Sequence, residues 1–105
     1  MNKQVKNQLP IFLKSYFWSV DFKKLNINKD KEYIIHQILC FGDLKAIKWL
    51  FGFYGEITIK RFFTNTPVKI YRASTFNWVK NVLLGLENKN LNINRYVINT
   101  PRITR

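Results

Sequence analysis

Gly42–Gly55, with the sequence GDLKAIKWLFGFYG, is the stretch that decides the fold. Gly42 and the good N-cap residue Asp43 mark the start of a helix, and Gly55 marks its end. Its apolar residues recur at helical spacing, at Leu44, Ile47, Leu50, Phe51 and Tyr54. Trp49 and Phe53, four residues apart, point to another side of the same helix. A helix that is apolar over so much of its circumference is typically central, so we expect this hub helix to contact partners on more than one face.

Helical spacing on both sides of the hub predicts an all-α single domain of four to five helices. The predicted segments are a short helix from Pro10, then Lys31–Phe41, the hub helix, Glu56 to about Phe63, and Phe76–Leu84 closed by Gly85. The last of these buries a stripe that includes Val82. Residues 1–9 are predicted to be a flexible N-terminus, 10–86 the helical domain, and 87–105 a basic, Asn-rich tail that is extended or disordered.

Size and composition favour one small cytoplasmic domain. A chain of 105 residues has room for one hydrophobic core. No apolar run approaches the ~20 residues of a membrane span, and the basic N-terminus lacks a small-residue cleavage site. The single cysteine, Cys40, has no internal disulfide partner and suits a reducing compartment. These features predict a cytoplasmic protein that does not enter the membrane.

The sequence offers little for catalysis or metal binding. His36 and Cys40 share a helix face, but two ligands do not hold a metal, so a packed or surface histidine and a small apolar cysteine are the favoured interpretations. Three of the six acidic residues, Asp30, Asp43 and Glu56, sit at helix starts. There is no phosphate-binding loop and no nucleophile motif. We therefore expect a non-enzymatic protein without a cofactor.

Basic residues outnumber acidic ones by 18 to 6, and residues 57–86 contain no acid. Such an excess attracts polyanions or an acidic partner. Two helices with basic outer faces in the C-terminal half suggest a helix-turn-helix-like arrangement on DNA, although a linker of ten residues is long for that motif. The predicted nucleic-acid-binding residues are Lys60, Arg61, Lys69, Arg72, Asn77, Lys80, Arg95, Arg102 and Arg105. The alternatives are a solvated basic surface and a composition set by AT-rich coding.

Large aromatic side chains exceed what one small core needs. Those that we expect at a protein interface are Trp18, Trp49, Phe53 and Trp78. The alternative is a thick aromatic core. Burial in a partner protein or in a second copy of the chain, as a homodimer, are both open at this point.

The chain also resembles a known family in the arrangement of its turns and aromatics. The matching residues are Phe17-Trp18, Val20-Asp21, Gly42-Asp43-Leu44, Trp49-Leu50, Tyr54-Gly55, Phe76, Trp78, Leu84 and Gly85. This pattern over residues 10–86 is similar to that of small helical bacterial proteins often encoded beside AbiEii-type nucleotidyltransferase toxins. The late motif reads FNW here, where the family has adjacent aromatics.

The resemblance implies an antitoxin-like protein that neutralises a cognate toxin by direct contact. Given the basic charge, we expect an acidic surface on that toxin, and binding to the protein's own promoter DNA is a further expectation. The alternative is a sequence-tolerant nucleic-acid-binding protein from a phage or mobile element.

Overall fold

The computed structural model describes residues 9–98, and this part of the chain is all-α, as the sequence predicts. Its helices are α1 (Lys31–Phe41), α2 (Leu44–Tyr54), α3 (Glu56–Asn65) and α4 (Ala73–Asn77), which runs directly into a π-helical segment (Trp78–Leu83). Short 3-10 helices cover Ile11–Tyr16, Phe22–Lys24 and Ile93–Arg95. Between residues 9 and 98 the only β-pairing is an isolated parallel bridge from Tyr71 to Val97. The predicted flexible N-terminus falls on residues outside this range, apart from Leu9, which is buried in the core.

Helix α1 is the central helix of the fold. Six successive residues, Ile34–Leu39, are buried, and α1 packs against α2, α3 and the 3-10 helix Ile11–Tyr16. The prediction that α2 is the hub was wrong. Although α2 is rich in apolar residues, it buries only Ala46, Ile47 and Leu50 and leaves the rest partly or fully exposed. Because His36 and Gln37 are polar, the sequence of α1 does not indicate that this helix is the central one.

The turn between α1 and α2 is a tight connection of two residues, Gly42 and Asp43. A Cβ atom on Gly42 would lie 2.7 Å from the carbonyl oxygen of Ile38 and 3.1 Å from the Cβ of Ala46, so a larger residue would have to displace the end of α1. Asp43 caps α2 by accepting a hydrogen bond from the Ala46 amide at 2.9 Å. That bond, together with one from the Tyr16 hydroxyl, lowers the pKa of Asp43.

His36 ties α1 to the connection between α3 and α4. Its Nε2 lies 2.7 Å from the carbonyl oxygen of Thr66, which can only accept, so Nε2 carries the proton. Nδ1 then accepts a hydrogen bond from the Tyr71 hydroxyl, also at 2.7 Å. Burial of the ring lowers the pKa of His36, because the charged form would lose its hydration. The side chain is therefore neutral and fully paired.

The segment 87–98 belongs to the folded domain, which differs from the extended or disordered tail that the sequence predicts. Tyr96 is only 2% exposed, and its hydroxyl donates to the carbonyl oxygen of Phe63 at 2.6 Å. The Tyr71 amide donates to the carbonyl of Tyr96, and the Ile98 amide donates to the carbonyl of Tyr71, both at 2.9 Å. One buried aromatic within an Asn-rich stretch fixes this segment to the core. Residues 99–105 of the predicted tail lie outside the described residues.

The helix predicted over Phe76–Leu84 starts earlier, at Ala73, and changes register halfway. The Leu84 amide donates to the carbonyl of Val79, five residues back, which is the π-helical pattern. The wider turn places Leu84 in the core and leaves Val82, which was predicted to be buried, 68% exposed. Gly85 ends the helix with a φ of 63°, as expected for a residue in the C′ position.

Candidate interaction surfaces

A groove of about 480 Å³ lies where four parts of the fold meet. It is bounded by the end of α1, the connection 66–72, the start of α4 and the C-terminal segment. The residues that line it are Cys40, Phe41, Ile70, Arg72, Thr75 and Ile98. Ile98 reaches the groove because the backbone bonds between Tyr71 and the segment 96–98 hold that segment beside residues 70–72. The groove therefore exists only in the complete fold.

Trp18 extends the apolar wall of the groove into solvent. Its ring packs edge-on against Phe41, with ring centroids 4.9 Å apart. Trp18 is 63% exposed and Phe41 is 43% exposed, so most of this aromatic pair is open to a ligand. Leu44, just across the α1–α2 turn from Phe41, is also exposed. Tryptophan and arginine are among the residue types most enriched at the hot spots of protein interfaces, and both occur at this groove.

The groove combines a charged side chain with a partly buried thiol. Among its described lining residues Arg72 is the one that carries a charge, and it is exposed. Burial raises the pKa of the Cys40 thiol to about 11, even though the positive charge of Arg72 acts in the opposite direction. The thiol is therefore protonated at neutral pH, and it donates a weak hydrogen bond to the carbonyl of Ile70 at 3.4 Å. This agrees with the interpretation of Cys40 as a small, unreactive packing residue.

The four residues predicted to bind a partner lie on three different parts of the fold. Trp18 joins the groove, whereas Trp49 and Phe53 stack on each other on α2, with ring centroids 5.2 Å apart. Trp78 is an exposed residue of the π-helical segment. Sequence reasoning missed Phe41, which it named only as the last apolar residue of the predicted helix Lys31–Phe41. Helical periodicity gives no signal that the apolar residue at this helix end is exposed.

The predicted nucleic-acid-binding residues differ in their exposure and in whether they are already paired with another side chain. Lys60 forms an ion pair with Glu56 at 2.9 Å, and the Lys80 ammonium donates to the Asn81 side chain at 3.2 Å. The exposed members of the set are Arg61, Lys69, Arg72, Asn77 and Arg95. Arg102 and Arg105 lie outside the described residues. Arg72 also lines the groove, which Trp18, a predicted partner-binding residue, borders through Phe41.

The connection between α3 and α4 differs from that of a tight helix-turn-helix. It covers residues 66–72, which is longer than the usual three or four residues. The two helices contact through Phe63 and Phe76, whose rings stack with centroids 6.0 Å apart. The second half of the would-be recognition helix is π-helical. Reading of a DNA groove by this helix stays a prediction.

A second, smaller cavity of about 300 Å³ lies over His36. Its polar lining residues are Lys29, Asp30, Glu32, Tyr33, His36 and Gln37. Both ring nitrogens of His36 are already hydrogen-bonded within the protein, so neither is available to a ligand. From residue 9 to residue 98 no group of three or more His, Cys, Asp or Glu side chains is placed to hold a metal ion. Of the packed or surface histidine that the sequence predicts, the structure shows the packed one.

None of the helices within the described range has the length and apolar character needed to cross a membrane.

Comparison with known proteins gives one match. Neither a curated protein nor a solved structure matches the chain. Residues 12–63 match the model of a family described as a family of unknown function, DUF6922. This stretch runs from the first 3-10 helix into α3, and it includes Trp18 and Phe41 but not Arg72 or Ile98. The chain is thus similar to the DUF6922 family over a stretch that covers α1, α2 and most of α3 and that contributes Cys40 and Phe41 to the groove.

Proposed function

We propose that the protein is a non-enzymatic binding protein that docks an acidic protein partner on the groove, in the manner of an antitoxin that neutralises its toxin by direct contact. The observation that carries the proposal is the composition of the groove. An exposed Trp18–Phe41 pair borders it, Ile70 and Ile98 line it, and Arg72 is the one charged side chain among its described lining residues. A partner that presents an apolar side chain next to a carboxylate would fill the groove and pair with the guanidinium.

Two further observations support a protein partner of this kind. The formal net charge of +12 would speed encounter with an acidic surface and repel a second copy of the chain. The resemblance to proteins encoded beside nucleotidyltransferase toxins rests on turn and aromatic residues, and one of these, Trp18, is exposed beside the groove. The same resemblance suggests where the partner is encoded, namely in the gene beside this one.

The test is co-expression of the tagged protein with the product of the neighbouring gene, followed by a high-salt wash with nuclease present. We expect a stoichiometric complex. Trp18→Ala should weaken it by about 2 kcal/mol or more, roughly 30-fold in Kd, because a large aromatic anchor is lost. Titration calorimetry measures the change. Ile57→Ala, at an equally exposed apolar position on α3, is the matched control and should bind like the wild type.

Circular dichroism checks that Trp18→Ala keeps its helices, as expected for a side chain that is mostly in solvent. Unchanged affinity in a folded Trp18→Ala protein would contradict docking on the groove. Failure to recover any complex would contradict the antitoxin-like proposal as a whole.

Nucleic-acid binding is a second candidate, favoured by the acid-free stretch 57–86 and its exposed cations Arg61, Lys69 and Arg72. Binding of this kind should weaken steeply with salt. Arg61→Ala should reduce the slope of log K against log salt by about one, whereas Lys60→Ala should reduce it less because Lys60 is paired with Glu56. Fluorescence anisotropy with a labelled duplex and a labelled single strand gives both slopes. Salt-independent or absent binding to both probes would remove this candidate.

A further inference from the structure

The second cavity, of about 300 Å³, lies between α1 and the connection from α3 to α4. Hydrogen bonds within the fold hold both of its sides. His36 pairs with the Thr66 carbonyl and the Tyr71 hydroxyl, which ties the connection to α1. The Asn26 amide donates to the Asp30 carboxylate at 2.8 Å, which fixes the residue before α1. The cavity is therefore preformed, with a volume at the lower end of the range of small-molecule sites, about 300–1,000 Å³.

Gln37 brings an unsatisfied hydrogen-bond acceptor to this cavity. Its side chain is only 6% exposed. Its Nε2 donates to the carbonyl of Tyr16 at 2.8 Å, whereas no donor among residues 9–98 pairs with its Oε1. A buried amide oxygen without a hydrogen bond is costly, and buried acceptors in proteins almost always have a partner. Because Gln37 lines the cavity, a donor group bound there would satisfy this oxygen.

The charged side chains around the cavity favour a cation. Two of the six acidic residues of the chain, Asp30 and Glu32, line it, against one base, Lys29. Neither carboxylate belongs to an ion pair in the part of the chain that the structure describes, where the one ion pair lies on α3. Burial lowers the pKa of His36, so its ring adds no positive charge at neutral pH. The described lining therefore carries one formal negative charge.

The positive charge of the whole chain acts against a cation only at long range. The formal net charge is +12. At physiological ionic strength, interactions between exposed charges are largely screened beyond about 8 Å. A ligand inside the cavity is much nearer than this to the two carboxylates, so the local charge decides which ligand is favoured.

The remaining lining residues offer apolar surface. Tyr33, Val68 and Ile70 line the cavity, and each is half-buried. The Tyr33 ring packs against Phe17, with ring centroids 5.7 Å apart, so it is held in place. A tyrosine ring stabilises a nearby cation as well as packing against apolar groups. The cavity thus combines carboxylate and amide oxygens with a small apolar surface.

We propose that this cavity is a binding site for a small organic cation, a compound with a protonated amine, amidine or guanidine group on a compact apolar body. Its N–H groups donate to the carboxylates of Asp30 and Glu32 and to Oε1 of Gln37, and hydrogen bonds of this charge-assisted kind are the strong ones. Its apolar body packs against Tyr33 and Ile70. The site adjoins the groove, since Ile70 lines both, but it does not require the protein partner.

Benzamidine is the probe for this site, and benzamide is the matched control compound because it has nearly the same shape and no charge. Titration is followed by amide NMR spectra, in which the side-chain NH2 group of Gln37 gives its own signals. We expect benzamidine to shift these signals and those of residues 29–37, with a Kd on the order of 1 mM or lower. Benzamide should bind at least about tenfold more weakly, because it cannot form charge-assisted bonds.

Glu32→Gln removes one carboxylate and keeps the shape of the side chain. It should weaken benzamidine binding by about fivefold or more, and it should keep the melting temperature of the wild type because Glu32 is exposed. Glu87→Gln is the matched control, since Glu87 is also exposed and does not line the cavity, and it should bind like the wild type.

Selective binding of benzamidine that Glu32→Gln weakens and Glu87→Gln does not would support the site. Equal affinity for benzamide would overturn the choice of a cation. An equal loss in both variants would show a general effect of charge and overturn the site, as would shifts centred on another part of the fold. No saturable shift up to about 10 mM, tenfold above the expected Kd, would overturn it as well.

Discussion

Tyr96→Ala should cost about 3–5 kcal/mol of the free energy of unfolding, the range measured when a large aromatic is removed from a core. Tyr96 is almost fully buried against a ring of aromatics, with centroids 4.8 Å away at Phe76 and 4.9 Å away at Phe63. Its removal also leaves the carbonyl oxygen of Phe63 without the hydroxyl that donates to it. Since domains of this size are stable by only about 5–15 kcal/mol, the variant should be at or near the limit of folding. Urea unfolding followed by circular dichroism measures the loss.

Two further variants in the same segment test the hydroxyl of Tyr96 alone and an exposed neighbouring side chain. Tyr96→Phe keeps the ring and removes the hydroxyl, so it should lose only about 1–3 kcal/mol, the cost of an unpaired buried carbonyl. Ile93→Ala changes an exposed apolar side chain three residues away and should be close to neutral. A Tyr96→Ala protein as stable as the wild type would show that residues 91–98 do not complete the core.

The second large effect is a loss of stability as the pH falls below about 6.5, caused by His36. Burial lowers the pKa of this side chain in the folded protein below the ordinary value of 6.5. Above that value the ring is neutral in both states, and stability is fully present. As the pH falls below 6.5, His36 binds a proton in the unfolded chain but not in the folded protein. The free energy of unfolding should then fall by up to about 1.4 kcal/mol per pH unit until the lowered folded pKa is reached.

The loss of stability in this pH range can be assigned to His36 because it is the only histidine of the chain. Asp43 also has a lowered pKa, but its contribution is lost below its ordinary value of 3.8, in a separate pH range. His36→Phe should abolish the slope, and it should lower stability above neutral pH because Thr66 and Tyr71 lose their partner. Urea unfolding at half-unit pH steps provides the curve. A wild-type stability that is constant over this range would contradict a buried, neutral His36.

Local signals predicted the helices well, because each is set by spacing and by capping residues close in sequence. The Gly42–Asp43 turn and the end of the last helix at Gly85 were both predictable for this reason. Which of the helices is buried at the centre of the fold was not predictable. In α1, His36 and Gln37 look polar, yet both are buried because Thr66, Tyr71 and Tyr16 supply their hydrogen bonds from far along the chain.

For the candidate site, too, the individual residues were predictable from the sequence but their arrangement in space was not. Trp18 and Arg72 were separately predicted to bind ligands, but nothing local indicates that both border one groove. They are brought together through Phe41, and the groove is completed by Ile98 from a segment that composition alone assigns to a tail. The exposure of Phe41 and Val82 depends on a turn and on a π-helical change of register, and neither of these has a signature in hydrophobic periodicity.

The late position of Tyr96 has a consequence for the order in which the molecule can assemble during synthesis. Phe63, the last residue of the stretch that resembles DUF6922, packs against Tyr71, Phe76 and Tyr96, all of which are made after it. Contacts such as those between His36 and Tyr71 or between Phe63 and Tyr96 span more than thirty residues, and such long-range contacts slow folding. A nascent chain that has reached only α3 therefore exposes the apolar faces of α1 and α3. We expect it to depend on protection from aggregation until residue 96 has emerged from the ribosome.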